Sequence, residues 1–203
     1  MAAPKNLKER QRIYDHALKL FAKQGYTKTK YSDIAEASGS SKSMVQHYFP
    51  KKELLVREFL NEHLESIAKE AEAYAGDDIM KLFCMMGLLH FHTLLNDETM
   101  SLFYGDLLAS RELTDIIVEA ERDWAGARLE GASEGPIFVK DALTVSLGGA
   151  YELMFQAVKS GKRLSASYVE YAAIVPFALS IGYERESIVA ILEECISEFE
   201  TKK

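Results

Sequence analysis

Cysteine is nearly absent from this chain: Cys84 and Cys195 are the only two. A pair so far apart in sequence is neither a disulfide framework nor a metal-ligand cluster, and it points to a reducing, cytoplasmic setting. Four prolines and 12 glycines in 203 residues are too few for a long disordered tract. Charge interrupts the apolar runs every few residues, so none is expected to span a bilayer and no membrane partner is expected. The opening MAAPKNLKERQR lacks the apolar stretch of a signal peptide. The sequence also has no HExxH spacing, no glycine-rich phosphate loop and no GxSxG elbow. His90 and His92, two apart, would leave a helix on different faces. No catalytic residue, metal or cofactor is therefore expected, and the chain is read as a non-enzyme.

Acidic residues prevail overall, with a net charge of −7, but the charge is unevenly spread. Residues 1–57 hold 12 of the 24 Lys and Arg and 5 of the 31 Asp and Glu, a balance of +7; the remainder carries 12 basic and 26 acidic residues, a balance of −14. Salt screens the acidic part beyond roughly 8–10 Å, so a basic N-terminal quarter can attract phosphates locally. A merely solvated basic face would give the same balance. With 48% apolar residues there is ample material for a core.

The apolar period is helical throughout. Ile13, Ala17, Leu20 and Phe21 form one stripe of a helix over Lys8–Lys23, which Gly25 stops. Thr29 is expected to cap a short second helix holding Ile34, Ala35 and Ala37. After the turn Ser38-Gly39-Ser40, Ser41 is expected to cap a third helix, Lys42–Tyr48. At about two turns that helix is too short to stand alone, so it must be held by packing, for which Val45, Tyr48 and Phe49 can supply the buried side. Pro50 ends it, and a long fourth helix starts at Glu53 and stops at Gly76-Asp77-Asp78. Further helices are expected near 78–95, 98–109, 112–130, 136–160, 167–182 and 185–201, with a break at Gly131 to Gly135. Nothing alternates with period two, so no strand is expected. The stretch Ala172–Ile181, apolar almost all round and containing Pro176, is expected to be buried or kinked. The fold class is all-α.

Two helices joined by a short glycine-containing turn form a helix-turn-helix unit, whose second helix presents its front edge to the major groove. The residue types there suit that task. Ser40, Ser41 and Ser43 are small donors and acceptors. Gln46, beside His47, can pair with adenine in bidentate fashion, and Met44 can meet a thymine methyl. Lys42 and Lys52 can neutralise phosphates and Tyr48 can donate to one. Lys28, Thr29 and Lys30 can do likewise at the second helix's positive end. A soluble turn would be the bland reading of the same Ser, Gly and Lys.

Arg12-Ile13, Ala17, Leu20-Phe21, Gly25-Tyr26, Thr29, Ile34-Ala35, Ala37, Gly39, Ser41, Tyr48-Phe49, Lys52-Glu53 and Leu55 stand in an order and spacing that resembles the DNA-binding region of the TetR family of bacterial transcriptional regulators. The resemblance covers roughly residues 8–57. It implies a helix-turn-helix DNA-binding domain over 1–57, with Thr29, Ser41, Lys42, Tyr48 and Lys52 at places where the family touches DNA. It further implies a larger helical ligand-binding and dimerisation domain over 58–203. Three positions depart from the family's habits. Ser40 stands where an apolar residue is common, Ser43 where glycine is, and Gln46 where tyrosine is. These departures read as an altered operator preference.

In residues 58–203 no motif repeats the resemblance. Aromatic, Met and His residues concentrate there, and Phe83, Met86, His90, Phe103, Tyr104, Trp124, Tyr151 and Phe155 are candidate walls of an apolar pocket with a few polar groups. Rings at helical spacing also simply make cores. Gly148-Gly149-Ala150 would admit a close helix, and Ile188, Ile191, Leu192 and Cys195 form a stripe. Both features are expected to pair with a second copy. The expected partners are thus a double-stranded DNA operator, a small-molecule effector of unknown identity and a second copy of the chain. The function read from all this is a ligand-responsive repressor working as a homodimer on a palindrome. The rivals are a ligand-free architectural or activating DNA binder, and a small-molecule-binding or enzymatic helical domain with a vestigial helix-turn-helix.

Overall fold

The computed structural model describes residues 4–129 and 138–201, with only the backbone described for Pro4 and Lys5. Within them the chain forms α1 (Pro4–Gln24), α2 (Tyr31–Ser38), α3 (Lys42–Tyr48), α4 (Glu53–Ala75), α5 (Ile79–Asn96), α6 (Glu98–Leu108), α7 (Arg111–Arg128), α8 (Val139–Ser160), α9 (Ala166–Ser180) and α10 (Arg185–Thr201). No strand occurs among the described residues, and the fold is all-α as the periodicity predicts. The break expected at 131–135 lies outside the described residues.

Short polar residues set the helix starts. Ser41 Oγ accepts from the Met44 N–H at 3.2 Å, and Asp78, Asp97 and Ser165 do the same job for α5, α6 and α9. Thr29 does not cap α2, contrary to expectation. The cap position is Lys30, whose N–H donates to the Asp33 carboxylate at 2.9 Å. Thr29 instead turns inward and donates its hydroxyl to the Gly25 carbonyl at 2.7 Å. Gly25 itself has φ +84, and a Cβ there would lie 2.4 Å from an Asp106 oxygen, so both the turn and its seat on α6 need glycine.

The helices share two packed clusters. One runs from Ile13, Phe21, Val45 and Phe49 through Leu55, Leu60 and Phe103 to Tyr151 and Ala173. The other surrounds α5, with Met80, Met85 and Leu88 against Trp124, Phe177, Ile188 and Leu192. The first cluster takes side chains from both sides of residue 57, and α4 passes through that point unbroken. The N-terminal helices are therefore seated on the body, not tethered to it.

α5 is the hub, packed by α4, α6, α9 and α10. By length and composition it is long and apolar enough to cross a membrane, so the expectation that charge interrupts every such run is corrected here. Its apolar surface is instead taken up by neighbouring helices. α9 encloses Pro176, and Ala173, Ile174, Val175, Phe177 and Ala178 around it are buried, while Ala172, Pro176 and Leu179 are exposed, so the burial expected of that stretch holds on one face only. Ile188, Leu192 and Cys195 of α10 are also buried, against α5 and α9. Three of the four stripe residues thus pack within the chain, with Ile191 half-buried beside them.

Candidate nucleic-acid interface and internal cavity

Val45 and Phe49 are both fully buried and fix α3 from behind. Phe49 stacks on Tyr14, lies under the Arg10 guanidinium at 4.6 Å, and its carbonyl accepts from the Tyr31 hydroxyl at 2.9 Å. Ser41, Lys42, Ser43, Gln46 and His47 are left exposed on the opposite side, with Met44 and Tyr48 half-buried beneath them. Lys28 and Lys30 are exposed on the neighbouring loop. Lys30, Lys42, Lys52 and Gln46 share one surface groove with Thr27 and Tyr31. The elements thus bring a hydroxyl- and amide-bearing edge and several cations onto one face.

Three expected contacts have other duties. Thr29 is 1% exposed with its hydroxyl already bonded, so that hydroxyl is not available to a phosphate. Lys52 donates to the carbonyls of Tyr26 and Thr29 at 2.8 and 2.9 Å and sits 3.8 Å from the Tyr26 ring centre. Its ammonium is a strut under the groove before it is a phosphate ligand, and burial lowers its pKa. Ser40 Oγ accepts from Arg12 at 3.3 Å and reaches Glu9 at 3.5 Å. The hydroxyl that replaces an apolar residue is thereby used to tie the turn to α1.

The second feature is a cavity of about 90 Å³ among α4, α5, α7, α8 and α9. Of the expected wall residues, Phe83, Met86, His90 and Trp124 line it. Phe103 does not. It stacks on Phe21 at 5.7 Å and meets Phe59 edge-on, joining α6 to α1 and α4. Phe155 lines a polar surface groove between α7 and α8 instead. Tyr104 and Tyr151 stand behind the wall, stacked on each other, with Tyr104 edge-on to His90. The Tyr104 hydroxyl is buried and finds no hydrogen-bond partner.

A chain of hydrogen bonds crosses four helices here. His63 Nε2 lies 3.1 Å from His90 Nδ1, His90 Nε2 lies 2.8 Å from the Tyr151 hydroxyl, and that hydroxyl donates to Glu121. Each group donates once in one direction when both imidazoles are neutral. Burial favours that state, pushing His63 down to about 4 and His90 well below the usual histidine value, where His63 adds to the effect. The 3.4 Å approach of His90 to Glu121 is accordingly a polar contact and not an ion pair. Burial also pushes the Glu121 carboxyl up to about 8, with the Tyr151 hydrogen bond opposing.

Sequence reasoning passed over two lining residues, Glu121 and Glu170, because an acid on an amphipathic helix reads as solvent-facing. Glu170 is 3% exposed, and its carboxyl is raised well above the ordinary range by burial. Its oxygens occupy the space that a side chain at Gly87 would fill, with Oε2 only 1.8 Å from a Cβ built there. The signal available in the sequence was the pairing of a glycine inside the apolar helix α5 with a lone acid in the otherwise apolar α9. Cys84 and Cys195, far apart in sequence, are both free and buried where α5 packs on α10, and the Cys195 thiol donates to the Lys81 carbonyl at 3.7 Å. Among the described residues no group of three or more His, Cys, Asp or Glu could hold a metal ion.

Residues 13–59 match the sequence profile of "bacterial regulatory proteins, tetR family". The HTH-type transcriptional regulator LuxR of Vibrio harveyi is 34% identical over 73 residues, which is 36% of this chain and about a third, 34%, of that protein. Solved structures share the fold over nearly the whole chain. RolR in complex with resorcinol superposes with a TM-score of 0.66 at 18% identity, covering 94% of this chain and 96% of its own. FadR of Thermus thermophilus, a TetR-family repressor solved with lauroyl-CoA, gives 0.58 at 17% identity over 86% and 96%. A tetR-family transcriptional regulator from Streptomyces coelicolor gives 0.56 at 17% identity over 97% and 90%. The two helices and the turn read from the sequence as a helix-turn-helix lie inside the matched segment; that segment is similar to the DNA-binding region of the tetR family, and the rest of the chain shares the fold of the solved structures.

Proposed function

We propose that the chain is a cytoplasmic transcriptional repressor that binds a palindromic operator as a homodimer and lets go when a small molecule fills the cavity. In this reading residues 1–57 contact DNA and residues 58–203 bind the effector and the second copy. The observation that carries it is the exposed front edge of α3, where Ser41, Lys42, Ser43, Gln46 and His47 face outward because Val45 and Phe49 are buried behind them. Lys28, Lys30 and Lys42 supply phosphate contacts, Tyr48 adds one from the end of the helix, and Gln46, Ser43 and Met44 reach base edges. Ser40, Thr29 and Lys52 shape the turn and the groove.

The second copy is assigned to α8 and α9, not α10. Val145 and Val158 on α8 and Tyr168, Tyr171 and Leu179 on α9 are large apolar residues left exposed, and no atom lies within 4 Å of a Cβ built at Gly148 or Gly149. Two copies joined there carry two recognition helices, as a palindrome with half-sites about 34–36 Å apart requires. RolR and FadR were solved with small ligands, and a cavity in the corresponding helical body supports an effector here. Its 90 Å³ suits a compact molecule.

Between cavity and DNA edge lie few steps. His63 and Phe59 of α4 stack on each other, Phe59 meets Phe103, and Phe103 stacks on Phe21 of α1. Asp106 of α6 accepts from the Thr27 N–H at 2.9 Å, and Tyr14 of α1 donates to Glu62 of α4 at 2.7 Å. An effector that favours the released arrangement by about 2–3 kcal/mol weakens DNA binding roughly 30- to 150-fold.

The test is fluorescence anisotropy with a panel of palindromic duplexes selected by the protein from random sequence. Affinity should fall steeply as salt rises, with a log–log slope of about −0.9 per phosphate neutralised. Lys42→Ala should make that slope shallower by about one unit, and Gln46→Ala should relax preference at one base pair by about 1–3 kcal/mol. A protein that selects no duplex, or binds with no dependence on salt, would sink the reading.

A further inference from the structure

The cavity is apolar, yet two of its lining residues are acids. Glu121 is held by Tyr151. Glu170 has no hydrogen-bond or ion-pair partner among the described residues, although it is 3% exposed and its carboxyl points across α5 at Gly87. A buried polar group without a partner is costly. Gly87 looks made for this carboxyl, since any larger residue there would expel it. Neither Lys nor Arg is among the residues lining the space; its one basic side chain, His90, is committed at both ring nitrogens. Phe83, Phe91, Trp124 and Phe177 supply ring faces and edges. Carboxylates and aromatic faces together are what a desolvated organic cation requires.

Resting on the ligand-regulated reading above, we infer that the effector is a small organic amine, bound as its ammonium ion with the nitrogen against Glu170 and its apolar body among Phe83, Trp124 and Phe177. Burial keeps the Glu170 carboxyl protonated in the empty cavity, so no isolated charge is stored there. The arriving ammonium supplies the counter-charge that lets this carboxyl ionise, and the carboxyl proton leaves to solvent. Glu121, across the same space, ties the occupied cavity through Tyr151 and His90 to His63 of α4. Ligand charge is thus felt on the helix that continues into the N-terminal unit.

The test uses the full chain and calorimetric titration with benzylamine and phenethylamine, against benzyl alcohol, phenol and resorcinol as uncharged counterparts of similar shape. The amines should bind about tenfold or more tightly than the uncharged compounds. Glu170→Gln, which keeps the size and neutrality of the protonated acid, should remove that advantage while leaving the weak binding of the alcohols unchanged. Gly87→Ala, which displaces the carboxyl without removing it, should do the same. The comparison of amines with alcohols on the unaltered chain needs no variant to fold. Alcohols or phenols that bind as well as the amines, or an amine affinity untouched by Glu170→Gln, overturn the inference and leave a ligand-regulated repressor standing. Binding by neither class overturns the inference and the cavity's regulatory role together, while operator binding measured by anisotropy would still stand or fall by itself.

Discussion

The N-terminal helices and the helical body treat their buried polar groups in opposite ways. In α1 to α3 the buried hydroxyls are matched: Thr29 donates to Gly25, and Ser38 donates to Ile34 at 2.6 Å. Arg10 is closed by two bonds to Glu58 and by the Phe49 ring. In the body the Tyr104 hydroxyl is buried without a hydrogen-bond partner, the Glu170 carboxyl is 3% exposed with no hydrogen bond or ion pair among the described residues, and burial pushes the Glu121 carboxyl up to about 8. The first region is complete as it stands and offers its chemistry outward. The second keeps these polar groups around the cavity, where the proposed effector would meet them.

Four substitutions probe that contrast, from the largest effect down. Phe49→Ala should cost about 3–5 kcal/mol, because it opens a cavity behind a two-turn helix whose other fully buried anchor is Val45 alone. Urea unfolding would show it, with operator binding lost at temperatures where the body stays folded.

Glu121→Gln should change the pH dependence of stability by a few kcal/mol between pH 5 and 8. The folded carboxyl titrates near 8 against 4.5 as its ordinary value. The folded protein thus keeps a proton that the unfolded chain gives up, and the group's contribution is whole below about 4.5 and lost as pH rises through 8. Tyr151 and Tyr104 face it as neutral phenols. His90 and His63, whose pKa values burial lowers, contribute the opposite slope on the acid side. Subtracting the two proteins' unfolding midpoints at each pH isolates the carboxyl. Equal slopes would mean that Glu121 is solvated.

Gly25→Ala should cost about 1–3 kcal/mol from its positive φ. The new methyl also pushes on Asp106, so it should additionally loosen the seat of the N-terminal unit on α6. Hydrogen exchange at the Thr27 amide, which donates to Asp106, would report that loosening directly. Smallest is Ser41→Ala, the loss of one helix cap, at about 1 kcal/mol. It should fall on operator affinity more than on melting temperature, since α3 contributes few core side chains beyond Val45.

The N-terminal region was legible because local rules set it. Ser41 caps α3, Pro50 follows it, Val45 and Phe49 alternate with exposed residues at helical spacing, and the pattern is short enough to match a family. Ser38 and Ser40 bracket Gly39, whose φ of +62 ends α2 as a glycine in that place should. Thr29 and Lys52 have structural duties that the sequence does not show. Both are polar, and only the folded loop shows that their polar atoms are consumed by the carbonyls of Gly25, Tyr26 and Thr29. In the body, Phe103 and Trp124 were indistinguishable as sequence. Phe103 turned toward α1 and Trp124 toward the cavity, a difference of neighbours and not of residue type.

By itself, the sequence determined the succession of helices, the Ser41 cap, the glycine and proline stops near α1 to α3, and the outward edge of α3, because each depends on residues within a turn or two of one another. Tertiary structure alone decided that most of α10's stripe is spent on α5 and α9, that Cys84 and Cys195 share one cluster, and that Glu170 shares one enclosed space with Glu121 and Gly87. Those pairings cross between helices far apart along the chain, and no local periodicity encodes which buried acid will be left without a partner.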